Sequence, residues 1–340
     1  MMSMRVRRGG CPASFILHDH LINTALMTTV YVICPDDNQP TGGVLKLYDF
    51  VDILNNNQID SYIIHDDKNF RATWFENKTK ITSADTVFIK NDDLVVIPEI
   101  WAERVLTLWP GIRKIIFNQD SFNTFIPFRY KLAEVQHIYL HPDVVQVMVV
   151  SDYDYDALNW LFPGIQLRRI YHGINNKLFF FNQHKKKQIA FMPRKGTEDF
   201  IFLDYLLSLK NCLDDFKITV IDKMPLEQCA NVLRESAIFL SFSHKEGFGL
   251  PPAEAMACGC IVIGYHGQGG KEFFKKNLTF SIEHSDLFSY AKQICYVIEQ
   301  FKTNPLTTLQ IGKQASDYII KTYSLANQEK SILWAIQHLI

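Results

Sequence analysis

Short apolar runs that do not alternate with polar residues, each followed by a segment long enough for a helix, constrain this chain more than any other feature. A strand with one wet face alternates, whereas one covered on both faces reads as a continuous apolar run, as in a parallel sheet between helical layers. In the first half such runs fall at residues 30–34, 62–65, 86–89, 94–97, 114–117 and 145–150. In the second they fall at 189–192, 217–221, 238–242, 261–265 and 278–282. Helix-length segments lie between most of them, for example 44–55, 200–209, 226–234 and 287–301. Strand, helix, strand, repeated through two separate stretches, predicts two doubly wound α/β sheets.

A chain of 340 residues exceeds what one core usually holds, so two domains follow. The boundary belongs where an apolar stretch gives way to Asn182, Gln183, His184 and the basic run Lys185, Lys186, Lys187. This places a first domain at 27–178, a second at 179–322, and a last segment at 323–340. In that segment Leu325, Ile332, Leu333, Ile336 and Leu339 recur at near-helical spacing and need a surface to cover. Residues 1–26 read as a loose extension, with Met27 able to serve as a start. Leu178, Phe179, Phe180 and Phe181 beside the lysines read either as packed linker aromatics or as a patch touching a membrane surface.

Composition removes several classes of function. With 47% hydrophobic and 13% aromatic residues the chain can bury a sizeable interior, and disorder is excluded. A formal net charge of −1 supplies no field for nucleic acid. No run reaches the roughly 18 to 20 apolar residues of a spanning helix. The seven cysteines, Cys11, Cys34, Cys212, Cys229, Cys258, Cys260 and Cys295, are odd in number, scattered and mostly set in apolar runs. That pattern predicts buried thiols in a reduced, cytoplasmic compartment.

Open parallel sheets bind ligands at the carboxyl ends of their strands, so the loops after the apolar runs carry the functional expectation. The loop from Ser243 passes Glu246, Gly247, Phe248, Gly249 and Leu250, then enters a helix marked by Pro251 and Pro252 and containing Glu254. A helix start presents free amides to an anion. Glu254 is expected in its first turn and Glu246 on the loop before it, and carboxylates flanking an anion site suit a polyol phosphate. Either glutamate alone reads as readily as a dipole partner or a solvated side chain. After the run at 189–192 come Arg194 and Lys195, a fork and a point charge suited to phosphate oxygens; Lys195 reads equally as a solvated loop residue. Further loops carry Gly269 and Gly270 after the run at 261–265, and Gly42 and Gly43 after the opening strand. His137, His141, His172, His266, Cys258 and Cys260 match no metal-ligand spacing, so no metal is expected.

The string from Glu246 to Gly259, with seven residues between Glu246 and Glu254, resembles the signature of glycosyltransferase family 4, the group 1 retaining transferases. The resemblance runs from about residue 28 to the C-terminus, strong in the second half and diffuse in the first. It implies the GT-B fold: two facing Rossmann-like doubly wound domains with a cleft between them, the last helix packing back on the first. By the same resemblance Glu254 would hold the ribose hydroxyls of a nucleotide, and Glu246 the hydroxyls of the donor sugar. Amides around Gly249 and Leu250 would face the diphosphate, with Arg194 and Lys195 stabilising its departure. Gly42, Gly43, Gly247, Phe248, Gly269 and Gly270 would form the loops around sugar and phosphates, and Glu272 matches a glutamate that follows the last of these. Many relatives carry a histidine in the loop where this chain has Gln119 and Asp120, which can hydrogen-bond a sugar or merely cap a helix.

The implied activity is retaining, metal-independent transfer of a hexose, glucose-like and UDP-linked, to a saccharide or lipid-linked saccharide acceptor, without a cofactor. The setting it implies is polysaccharide or glycolipid synthesis in the cytoplasm, with a possible peripheral association at the inner membrane face. A sugar-nucleotide epimerase of similar fold and a UDP-sugar-binding pseudoenzyme are the alternatives.

Overall fold

The computed structural model describes residues 28–129 and 131–340. The extension at 1–26, and Cys11 with it, lies outside these residues.

The first sheet takes strands β1 (Val30–Ile33), β2 (Ser61–His65), β3 (Ile81–Ser83), β4 (Leu94–Pro98), β5 (Arg113–Asn118), β6 (Val144–Val149) and β7 (Leu167–Arg169). Its helices are α1 (Gly42–Asn56), α2 (Leu132–Tyr139) and α3 (Asp152–Leu161). The second sheet takes β8 (Lys186–Phe191), β9 (Lys217–Val220), β10 (Ser236–Ser241), β11 (Ile261–Gly264) and β12 (Thr279–Ser281). Around it lie α4 (Thr197–Lys210), α5 (Leu226–Glu235), α6 (Leu250–Ala257), α7 (Leu287–Thr303) and α8 (Pro305–Thr322), and the described chain closes with α9 (Leu325–Ile336). All neighbouring strands pair in parallel, in the orders β3-β2-β1-β4-β5-β6-β7 and β12-β11-β10-β8-β9.

The central strands β4 and β10 are buried along their whole length, which is why their sequences are unbroken apolar runs. In each order the chain reverses direction of travel once, between β1 and β4 and between β8 and β10. Loops diverge at such a point and leave a crevice at the carboxyl ends of the strands. The loops carrying Gly42, Arg194 and Glu246 leave from these strands.

The run at 86–89 is not a strand. Thr86 and Val87 donate their amides back to the Ser83 carbonyl, which turns the chain out of the sheet, and Phe88 is 79% exposed. The edge position belongs instead to β3, whose Ile81, Thr82 and Ser83 pair with β2. The cysteines also differ from the expectation of isolated thiols. Cys212 and Cys295 form a disulfide with Cα atoms 5.5 Å apart, because the end of α4 meets α7, while Cys34, Cys229, Cys258 and Cys260 are free and buried.

Residues 170–185 join β7 to β8, and the sequence division at 178/179 falls within them. Phe179 is buried, Phe180 lies under the Arg234 guanidinium at 4.7 Å, and Phe181 is beneath the Lys313 ammonium at 5.7 Å. Phe180 nonetheless stays 45% exposed, and no helix among the described residues is long and apolar enough to cross a membrane.

Two features bind the halves to each other. Helix α9 lies on the first half: Ser331 Oγ accepts the Tyr171 amide at 2.9 Å, Gln328 Oε1 that of Gly173 at 2.9 Å, and Gln146 donates to the Ala335 carbonyl at 3.1 Å. Across the seam, Arg169 reaches Glu272 at 2.6 Å while also pairing with Asp152. The other Glu272 oxygen accepts the Asp152 amide at 3.0 Å, at the start of α3, and Tyr323 donates to the first at 2.8 Å. Glu272 therefore holds the halves together and does not face a ligand. Its side chain is 10% exposed and that of Asp152 is 69% exposed, so their deletions should differ. Glu272→Ala, which strands Arg169, is expected to cost about 2–4 kcal/mol in urea unfolding, and Asp152→Ala under about 1 kcal/mol.

Candidate active site

Facing strand ends enclose a cleft of about 1010 Å³. Gly42, Gly43, Gln119, Asp120, Arg194, Lys195, Glu246, Gly247, Phe248, Gly249, Leu250 and Glu254 all line it. Residues that are up to 212 positions apart in sequence, Gly42 and Glu254, are thereby brought to one place.

The narrowest approach is between backbones. A Cβ built on Gly247 would lie 2.0 Å from the Gln119 carbonyl oxygen and 2.7 Å from Asp120 Cα, so only glycine fits there. Nearby, Gly42 lies against Leu250, and Gln119 donates its side-chain amide to the Gly43 carbonyl at 3.3 Å. Gly249 has φ of 92°, a conformation costly for other residues, and turns the loop into α6. Pro251 and Pro252 occupy the first turn without amide protons, so the free donors of this helix start narrow to those around Gly249 and Leu250.

Lys195 Nζ lies 3.0 Å from Glu246 Oε1 and donates to the Lys245 carbonyl at 2.8 Å. Its charge is thus already shared with Glu246, whereas Arg194 is exposed and has no carboxylate partner among the described residues. Glu246 is fixed through its backbone, donating to the Gly267 carbonyl at 2.8 Å and accepting from the Gly269 amide at 3.1 Å. Gly269 and Gly270 do not line the cleft. They are buried behind the Glu246 loop, where a Cβ on Gly269 would meet the Gly247 carbonyl oxygen at 1.8 Å, and they support that loop from the rear.

Glu254 lies one turn deeper than expected. Helix α6 begins at Leu250, so Glu254 falls in its second turn, 8% exposed. Burial pushes its carboxyl up to about 7, with the Lys46 ammonium working against the shift. Lys46 itself is buried and donates to Asp49, to the Gly173 carbonyl and to Gln328. Beside them burial, helped by Lys46, holds His172 well below the usual histidine range, so the imidazole in the cleft is neutral.

Glu99 is a cleft residue that the motifs did not reveal. It follows β4 directly, accepts the Gln119 amide at 3.1 Å and the Asn123 side-chain amide at 3.3 Å, and burial pushes it to about 7. The strand-end rule alone could have found it, because it lies two residues past the apolar run at 94–97. Asp154, raised by burial to about 7, accepts the Ser121 amide at 3.0 Å. Asp120 accepts the Phe122 amide at 3.0 Å, and burial raises its carboxyl against the pull of Lys195. The loop at 119–123 is therefore held by carboxyls on three sides, with Asp120 turned toward the Lys195–Glu246 pair.

The fold is GT-B. Sucrose-phosphate synthase from Thermosynechococcus elongatus superposes with a TM-score of 0.69 at 15% identity, over 92% of this chain and 99% of that one. Anabaena HepE, solved with UDP and glucose, does so with a TM-score of 0.65 at 12% identity, over 92% and 100%. The model of the family described as "Glycosyl transferases group 1" matches residues 208–315. An α-1,6-glucosyltransferase of Actinobacillus pleuropneumoniae serotype 7 (strain AP76) is 29% identical over 236 residues, spanning 65% of this chain and 69% of that protein. This GT-B chain thus has group 1 glycosyltransferases as its relatives.

Two expectations follow from the geometry. Gly247→Ala should push the loops at 119–120 and 247 apart, leaving folding intact by circular dichroism but lowering turnover at least about tenfold, as for a misplaced reacting pair. The second concerns pH. Glu99, Asp154 and Glu254 keep their protons to about 7 when folded, against ordinary values of 4.5, 3.8 and 4.5. The folded chain binds more protons across that window, so their contribution is full below it and is lost as pH rises through about 7. The urea midpoint should fall between pH 5.5 and pH 8, and Glu254→Gln should reduce the fall.

Proposed function

We propose that this chain is a retaining glycosyltransferase that moves glucose or a close relative from a UDP-linked donor to a saccharide or lipid-linked saccharide. The observation that carries the reading is the convergence of Arg194, Lys195, Glu246 and Glu254 on one cleft at the switch point of the second sheet. Support also comes from the glucosyltransferase relative and from neighbours solved with UDP and a sugar.

In this reading Glu254 accepts from the ribose hydroxyls, and Glu246 from a hydroxyl of the donor hexose while keeping Lys195 in place. Arg194, Lys195 and the amides at Gly249 and Leu250 meet the diphosphate. The bond from the anomeric carbon to the diphosphate oxygen breaks, and its electron pair leaves with the nucleotide. The acceptor oxygen bonds to the same face of the oxocarbenium-like carbon, and its proton passes to the departing phosphate oxygen. The leaving charge is met by side-chain cations and amides, so metal-independent catalysis belongs to the proposal, with activity retained in EDTA as its check. A cytoplasmic location with peripheral contact at the inner membrane face also belongs to it. The four buried free thiols support that location and the Cys212–Cys295 pair opposes it.

Glu254→Gln is expected to weaken UDP binding about 10- to 100-fold by calorimetry, the loss of charge-assisted hydrogen bonds. Glu246→Gln should leave UDP binding within about threefold and lower sugar transfer. UDP affinity of the unaltered chain should climb from pH 6 to pH 8, as Glu254 ionises and becomes the stronger acceptor, and stay flat in Glu254→Gln. Normal UDP binding and turnover in both variants would remove the assignment. Inversion of free UDP-sugar at C2 would indicate an epimerase, and binding without turnover a pseudoenzyme.

A further inference from the structure

The two walls of the cleft differ in charge. The second-half wall carries the cations Arg194, Lys195 and Lys223, whereas the described first-half residues lining the cleft include no lysine or arginine, and their histidine, His172, is neutral. The carboxyls on that wall are Asp37, Glu99 and Asp120.

Its amide groups are anchored from within the wall. Gln119 Nε2 gives one of its two N–H groups to the Gly43 carbonyl and Asn123 Nδ2 one to Glu99, which leaves a neutral donor on each. Gln119 Oε1 is buried and accepts from no group. Asp120 uses one oxygen for the Phe122 amide and Asp37 one for the Gln39 amide, which leaves the second oxygen of each. This wall therefore offers carboxylate oxygens together with neutral donors, the remaining amide N–H groups and the unpartnered Trp74 Nε1, and among the described residues no cationic side chain. Hydroxyls can donate to such carboxylates and accept from such neutral donors, whereas phosphate or carboxylate oxygens would meet like charge with no cation beside them, which is costly.

Resting on the glycosyl-transfer reading, we propose that the acceptor is a saccharide free of anionic groups, its hydroxyls held by Gln119, Asp120, Asn123 and Asp37. Exclusion of charged acceptors comes from repulsion built into the first-half wall, which is how a site rejects a near relative of its substrate. The cations opposite serve the donor's diphosphate and do not recruit the acceptor.

The test offers the full chain, with UDP-glucose, matched sets of saccharides: each neutral sugar, its 6-phosphate and its 6-carboxylate. Products are read by mass spectrometry, with UDP binding and acceptor-free donor hydrolysis measured in parallel. Neutral members should exceed their charged counterparts in kcat/KM by about 100-fold or more, since like-charge contact across a buried surface costs several kcal/mol. Gln39→Lys, which adds a cation to this wall, should narrow the gap about tenfold. Equal or better use of a charged member would overturn the proposal, as would donor hydrolysis with no transfer to any neutral sugar. If UDP is not bound and the donor is untouched, the glycosyl-transfer reading fails first and the acceptor class falls with it.

Discussion

The backbone contact between Gly247 and the loop at Gln119–Asp120 sets the geometry on which the remainder of the cleft depends. Two parallel sheets, each with its own crevice, share a site only if their strand ends come within reach of one small molecule. Here they come within reach of each other's main chain, with no side chain between. That approach carries Asp120 to the Lys195–Glu246 pair and Gly42 to Leu250. The Glu272–Arg169 bridge and the α9 contacts hold the halves in this relation from outside the cleft, so the ligand-facing loops are free of that task.

The site concentrates carboxyls in poor solvent. Glu99, Asp154 and Glu254 are each raised to about 7 by burial, a condition that weakens folding at higher pH. Glu99 and Asp154 serve to hold backbone amides of one loop, and Glu254 faces the cleft. Glu99 and Glu254 both line the cleft, and strongly shifted groups gathered in one cleft mark a functional site more often than a structural one. A lower stability in return for a fixed loop and a ready acceptor atom is consistent with that pattern.

Much of the fold was legible because burial on both faces of a strand leaves its mark in sequence. The runs at 94–97, 114–117 and 238–242 could hardly be anything but central strands, and they are. The run at 86–89 had the same appearance, but a strand also needs a partner, and Ser83 turned the chain away before one was reached. In the site, the motif residues Glu246, Gly247, Gly249 and Leu250 could be picked out because helix starts and tight turns restrict local residue choice. Lys46 and His172 could not, since nothing adjacent in sequence shows what they meet.

Local pattern by itself determined two α/β halves, the loops that bear polar and glycine residues, and the group 1 transferase resemblance of the second half. These follow from interactions within a few residues, where side-chain period and backbone freedom decide. Tertiary structure alone decided that Gly269 and Gly270 stand behind Glu246 rather than in the cleft, and that Glu272 bridges the halves. It alone decided that Cys212 meets Cys295, and that the cleft wall at Gln119 and Asn123 carries carboxyls and, among the described residues, no lysine or arginine. Each of these depends on which distant groups come within a few ångströms, and no local spacing encodes that.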